Sequence, residues 1–194
     1  PLRKLGDYVV MEAPMIDEAD VRYIVSNIRE DDALELGYTF DGFDCDSIVQ
    51  TIMDYPHGVK HIVYAADGEP AGIGGINIHD ERKATAWAFG TDRFNELAIK
   101  ITRSCRDSCR AALDLHPNLG LFAMSWNGHK GSASWLKRIG FKEAHPFDRN
   151  GQPFTLFVMA QRDDCLLELA QAIRLARHDA GRTGTPADDG RLEP

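Results

Sequence analysis

Residues 61–125 leave few folds open, because three short strand signals are followed by one long amphipathic helix and then a further strand. His61–Ala66 is rich in β-branched and aromatic residues, Asp67–Gly68 is a hairpin signal, and Ala71–Ile78 returns. A polar turn, Asp80–Lys83, leads into a third strand, Ala84–Phe89. Residues 61–91 therefore predict an antiparallel meander. Gly72, Gly74 and Gly75 within it predict close backbone contact or a bulge. From Asp92 to Leu115 the residues Phe94, Leu97, Ala98, Ile101, Cys105 and Ala112 keep helical spacing, and Pro117 ends the run. Leu119–Ser125 is the next strand. A strand–helix–strand connection of this length requires a parallel neighbour, so the sheet must be mixed.

The flanks fit that frame. Leu5–Glu12 predicts a first strand. Val21, Ile24, Val25 and Ile28 form a helical stripe with Asp17 as N-cap. Asp44 or Asp46 caps a second short helix carrying Ile48, Val49, Ile52 and Met53, which ends before Pro56. After Leu119–Ser125 come a helix, Ala133–Ile139, stopped by Gly140, and a closing hairpin turning at Arg149–Asn150–Gly151. The expected class is α/β (α+β): a mixed, mostly antiparallel central sheet flanked by helices. One domain spans residues 1–160. Residues 161–180 predict an amphipathic helix with Leu166, Leu169, Ala170 and Ile173, and residues 181–194 a Gly/Pro/Asp-rich tail.

Charge and cysteines narrow the function. With 22 basic against 30 acidic residues and a net charge of −8, general nucleic-acid coating is disfavoured. Cys45, Cys105, Cys109 and Cys165 form no C-x-x-C pair, and Cys105 and Cys109 have no neighbouring His or Cys to complete a metal site, so no metal is expected. They read as small packing residues of a reduced interior. No apolar run reaches the ~20 residues of a membrane span. Pro1 fits removal of an initiator Met.

The element order resembles the GNAT acetyltransferase superfamily. The stretch Ser125–Phe141, SWNGHKGSASWLKRIGF, looks like the segment in which an Asn ends a strand, a short helix follows, and Gly-Phe opens the next strand; Asn127 and Gly140–Phe141 match it. FGTDRF (Phe89–Phe94), WLKRIGF (Trp135–Phe141) and FDRNGQPFTLFVM (Phe147–Met159) are similar to a family of tailed-phage internal virion proteins with a GNAT-like domain. That second resemblance implies a virion or assembly protein that contacts other phage structural proteins through its C-terminal helix and tail. It would reside in the host cytoplasm and then in the particle.

The GNAT resemblance also implies a chemistry, and several of its parts are missing. The diphosphate of acetyl-CoA is usually cradled by backbone N–H groups of a glycine-rich loop opening the long helix. Here that place reads Gly90-Thr91-Asp92-Arg93-Phe94-Asn95-Glu96-Leu97, with no further glycine until Gly120. Asp92, better suited to an N-cap, puts negative charge there, and Arg93 compensates in part. The Tyr that protonates the leaving thiolate is Leu136, beside Trp135. The strand Ala84–Phe89 offers no base, Glu81 lying in the turn before it; His79 and His129 are candidate substitutes, although a lone His near a turn is more often merely solvated. The expectation is a protein with no confidently assigned catalytic residue and no cofactor. The alternative is an acyl-CoA-dependent N-acetyltransferase with an atypical loop, in which Thr91, Asp92, Arg93, Asn127 and Trp135 would face the acetyl-CoA.

Overall fold

The computed structural model describes residues 3–5, 8–12, 16–40, 42–55 and 58–161. The expected C-terminal helix and tail, with Cys165, lie outside the described residues. The elements run β1 (Arg3–Leu5), β2 (Tyr8–Glu12), α1 (Glu18–Ser26), α2 (Glu30–Phe40), α3 (Cys45–Asp54), β3 (Gly58–Tyr64), β4 (Pro70–Ile78) and β5 (Lys83–Gly90). A 3-10 turn, Asp92–Leu97, then leads into α4 (Ala98–Leu115), β6 (Gly120–Trp126), α5 (Ser132–Ile139), β7 (Lys142–Arg149) and β8 (Gln152–Ala160).

The caps read from the sequence are made. Asp17 accepts the Ala19 N–H at 2.9 Å, and Asp44 accepts that of Ser47 at 2.9 Å, each supplying a donor-satisfying oxygen at a helix start. Two readings need correction. The α2 helix was not foreseen. Asp92 does not cap the long helix: Thr91 precedes a 3-10 turn, and α4 begins a full turn and a half later than expected, at Ala98. Phe94 explains the delay. Its ring covers Gly72 and Gly90, where a Cβ would lie 2.3 and 2.5 Å from it, and burying it there holds the backbone in the tighter turn.

The strands form one sheet in the order β1-β2-β3-β4-β5-β6-β8-β7. Every pair is antiparallel except β5 with β6. That parallel pair spans only Lys83↔Gly120, Ala84↔Leu121 and Thr85↔Phe122. Beyond Thr85 the two strands diverge. The hairpin β7–β8 turns at Asn150–Gly151, both with positive φ (50° and 75°), the twist a tight hairpin requires.

Helices α1 and α3 cover one face, packing Val21, Ile24, Val49 and Ile52 onto Ile62, Ile73 and Phe89. Helices α4 and α5 cover the other, packing Cys109, Leu113, Leu136 and Ile139 onto Ala84, Leu121 and Ala123. Among the described residues no helix is long and apolar enough to cross a membrane.

Candidate functional site

The divergence of β5 and β6 opens the sheet, and a cavity of about 280 Å³ runs through the gap. Its walls come from both faces: Ile48 and Ile52 of α3 on one side, Cys105 of α4 and Trp135 of α5 on the other. On β5 the side chains of Thr85, Trp87 and Phe89 face α3, while Ala84, Ala86 and Ala88 face α4 and α5. Three alanines in succession leave a shallow trough beneath those helices. Gly90 directs both its N–H and its carbonyl away from β4 and toward the gap, bonding Asp32 and the Arg29 N–H. By strand alternation the Ala88 peptide points the same way, beyond the last residue of β5 that pairs with β6, Thr85.

Helix α2 closes the wide end of the gap with two carboxylates one turn apart. Asp32 is 4 % exposed and tied on all sides. It accepts Arg29 Nε and Nη2 at 2.8 and 2.9 Å and the Gly90 N–H at 2.8 Å, and lies 2.7 Å from His129 Nε2. Arg29 also stacks on the Phe94 ring at 4.7 Å. Such a paired, four-bonded carboxylate is a structural anchor joining α2 to β5 and to the loop after β6.

Glu35 is different. Its Oε2 accepts the Trp126 N–H at 3.2 Å and the Ser125 hydroxyl at 3.5 Å, both from the diverged end of β6. Its Oε1 takes none of the described hydrogen bonds, and the residue lines the cavity. Burial pushes its carboxyl up to about 7, with Asp32 adding to the rise; His129, the Trp126 N–H and the Ser125 hydroxyl oppose it. A carboxyl that titrates near neutrality, in a cavity, with one oxygen unengaged, is suited to take a proton from an amine. Burial works against charge on His129, yet its bond to Asp32 and the nearby Glu35 hold the imidazolium above its ordinary range.

The residues singled out from the sequence fall in several places. Trp135 lines the cavity and donates from Nε1 to Thr102 at 2.9 Å. Thr91 is buried, its hydroxyl on the Ala71 carbonyl at 3.2 Å. Asp92 is exposed. Arg93 is engaged by Asp67 at 2.6 Å, Glu69 at 3.1 Å and Glu96 at 3.6 Å, so its charge is already matched. Asn127 accepts the Thr155 hydroxyl at 2.8 Å and holds β6 to β8 rather than facing the gap. Glu81 is exposed in its turn. His79 bridges Tyr55 and Thr85 at 2.9 and 2.7 Å, and His129 is bound to Asp32; neither is merely solvated. Burial pushes the Cys105 and Cys109 thiols up to about 12, which removes them as nucleophiles. A carboxyl suited to take a proton, which the sequence reading did not find on β5, sits instead on α2, as Glu35.

A mixed sheet parted between two parallel strands, with a cavity crossing the part, is an architecture shared with a known class of proteins. The fold is that of the GNAT acetyltransferases. The chain superposes on a probable acetyltransferase with a TM-score of 0.62 and 18% identity, covering 83% of this chain and 97% of that one. It superposes on the ribosomal-protein-S5-alanine acetyltransferase of Vibrio fischeri with a TM-score of 0.59 and 12% identity over 84% and 98% of the two chains. For a ribosomal L7/L12 α-N-protein acetyltransferase in complex with coenzyme A the values are 0.61, 11%, 82% and 98%. No family model and no curated protein matches the chain. At these identities the likeness shows the fold. It overturns the expectation of no cofactor, since the neighbours are acetyltransferases and one is solved with coenzyme A. The expected kinship to phage virion proteins finds no support in them.

Proposed function

We propose that the protein is an acyl-CoA-dependent N-acyltransferase acting on an amine. The observation that carries this is the cavity through the parted sheet with the buried, half-engaged Glu35 on its wall. The acyl-pantetheine end of acetyl-CoA fits the residues present. The trough over Ala86 and Ala88, roofed by Ser104, Cys105 and Trp135, admits a narrow chain, and the gap-facing peptide N–H of Ala88 can hold a carbonyl. The diphosphate end has no glycine cradle: Phe94 fills the space over Gly72 and Gly90, and Arg93 is held by three carboxylates.

Acetyl-CoA, when bound, supplies the thioester carbonyl that an amine attacks. The chain's own residues manage the protons. Glu35 Oε1 takes one proton from the entering ammonium and releases it to solvent. The second N–H proton of the attacking nitrogen leaves with the thiolate, so no acid is required at Leu136. Asp32, fixed by Arg29 and His129, sets the position of α2 and hence of Glu35. The test is amine-dependent thiol release from acetyl-CoA by the purified full chain. Turnover that falls by about two to three orders of magnitude in Glu35→Gln supports the reading. No thiol release with any amine, together with no rise in melting temperature at saturating CoA, overturns it.

The assembly role expected of residues 161–194 stays a proposal about a segment outside the described residues. It is tested by deleting residues 181–194 and measuring incorporation into particles.

A further inference from the structure

The part of the cavity on the α3 side differs in character from the cofactor trough, and its chemistry narrows the amine. Its walls are apolar and aromatic: Leu36 and Phe40 of α2, Ile48 and Ile52 of α3, and Trp87 of β5. Phe40, at 53 % exposure, and the neighbouring Phe43, at 41 %, keep large rings at the surface beside the α2–α3 connection, which extends the apolar character toward solvent. Among the described residues, the carboxylates lining the cavity are Asp32 and Glu35, both at the sheet opening, and no Lys or Arg lines it. Asp32 has its oxygens taken up by Arg29, Gly90 and His129, so a single carboxylate oxygen, Glu35 Oε1, is left to meet a ligand. Away from that end the polar lining includes the hydroxyls of Thr39 and Thr51, the His61 imidazole, and Tyr55, Asn77 and Thr85. The last three carry no charge and are partly committed: Asn77 accepts the Trp87 indole N–H at 3.0 Å, and Tyr55 and Thr85 both bond His79.

Resting on the transferase reading, we propose that the acceptor is a monoamine with an uncharged aliphatic or aromatic body. Its ammonium meets Glu35 at the sheet opening, and its body lies between Trp87 and the Leu36, Ile48 and Ile52 side chains. An amino acid presents a carboxylate beside its ammonium, which would lie against Glu35 and Asp32 with no described Lys or Arg on the wall to receive it. A polyamine presents a second ammonium, and the second carboxylate, Asp32, already has its oxygens engaged. Burying an unmatched charge costs far more than burying a methylene group gains, so the pocket rejects both. This selectivity differs from the substrates named for several neighbours of the same fold, which include spermidine and the N-termini of ribosomal proteins.

The experiment uses three amines on the full chain: phenethylamine, phenylalanine and spermidine. Calorimetric binding in the presence of CoA reads the pocket without turnover, and thiol release from acetyl-CoA reads the reaction. The expected result is phenethylamine binding at least about tenfold tighter than either competitor, with the preference over phenylalanine reduced in Glu35→Gln. Trp87→Ala, which removes wall but no charge, should weaken phenethylamine and leave spermidine unchanged. Phenylalanine or spermidine binding as tightly as phenethylamine overturns the assignment, and so does failure of phenethylamine to bind while the chain melts cooperatively. Selective phenethylamine binding with no thiol release leaves the pocket assignment standing and overturns the transferase reading instead.

Discussion

Replacing Glu35 by Gln should stabilise the protein at alkaline pH while abolishing its use as a base, and the structure gives the size of the effect. The carboxyl titrates at about 7 in the folded chain against 4.5 for the ordinary group, and its burial is the main cause. A carboxyl raised on folding holds its proton in the native state after the unfolded chain has lost it. Stability is therefore full below about pH 4.5, falls as pH rises toward about 7, and is level above that. At about 1.4 kcal/mol for each pH step, the ionised carboxylate costs about 3 kcal/mol above neutrality. Gln is neutral at every pH and its carbonyl can still accept the Trp126 N–H. The variant escapes that cost, in which the opposing attraction of Glu35 for His129 is already included, so the expected gain is about 3 kcal/mol. For a chain of this length that corresponds to roughly 6–10 °C in melting temperature.

The assay is a pair of urea titrations, wild type and Glu35→Gln, at about pH 5 and about pH 9. The two proteins should unfold at similar midpoints in acid, and the variant should be the more stable in alkali. A difference that is the same at both pH values would refute the reasoning, because the carboxyl would then pay no desolvation cost. A variant less stable at alkaline pH would refute it more directly, since it would mean that the ionised Glu35 is a net stabilising partner.

Other expectations follow from neighbouring contacts. Asp32→Ala removes the acceptor for Arg29, His129 and the Gly90 N–H together, and should cost about 3–5 kcal/mol in a denaturant titration. Gly72→Ala places a Cβ 2.3 Å from the Phe94 ring and should cost about 1–3 kcal/mol, read as a lower melting temperature. The pH profile of kcat/KM for the amine should rise through about 7 as Glu35 loses its proton, and that rise should be absent in Glu35→Gln. Leu136→Tyr should leave kcat within about threefold of wild type, because no acid is required there; a gain of about a hundredfold would show that thiolate protonation limits the reaction.

The sheet was legible because its residues obey the rule that apolar positions face inward. The meander of β3, β4 and β5, the parallel crossing to β6 and the closing hairpin all alternate or run apolar where the core requires it, and the turns at Asp67–Gly68 and Asn150–Gly151 mark their ends. The opening between β5 and β6 has no mark in the pattern of these strands, since a strand–helix–strand crossing specifies the parallel pairing and says nothing of where it stops.

Helix α2 was not legible, and the cause lies in its purpose. Its sequence EDDALELGYTF begins with three acids, contains Gly37, and has no clean apolar stripe. The residue it buries most deeply is Asp32, while Leu34 and Phe40 are exposed. A pattern rule that assigns acids outward and leucines inward inverts this helix. The acids are tolerated inside because the parted strands present unpaired peptide N–H groups at Gly90 and Trp126, and carboxylate oxygens satisfy them. The gap in the sheet and the inverted helix therefore explain one another: opening β5 from β6 creates donors that need acceptors, and the acceptors that meet them include the one carboxyl with an oxygen left for a substrate. Local pattern and global fold disagree in α2, and the proposed site lies at that disagreement.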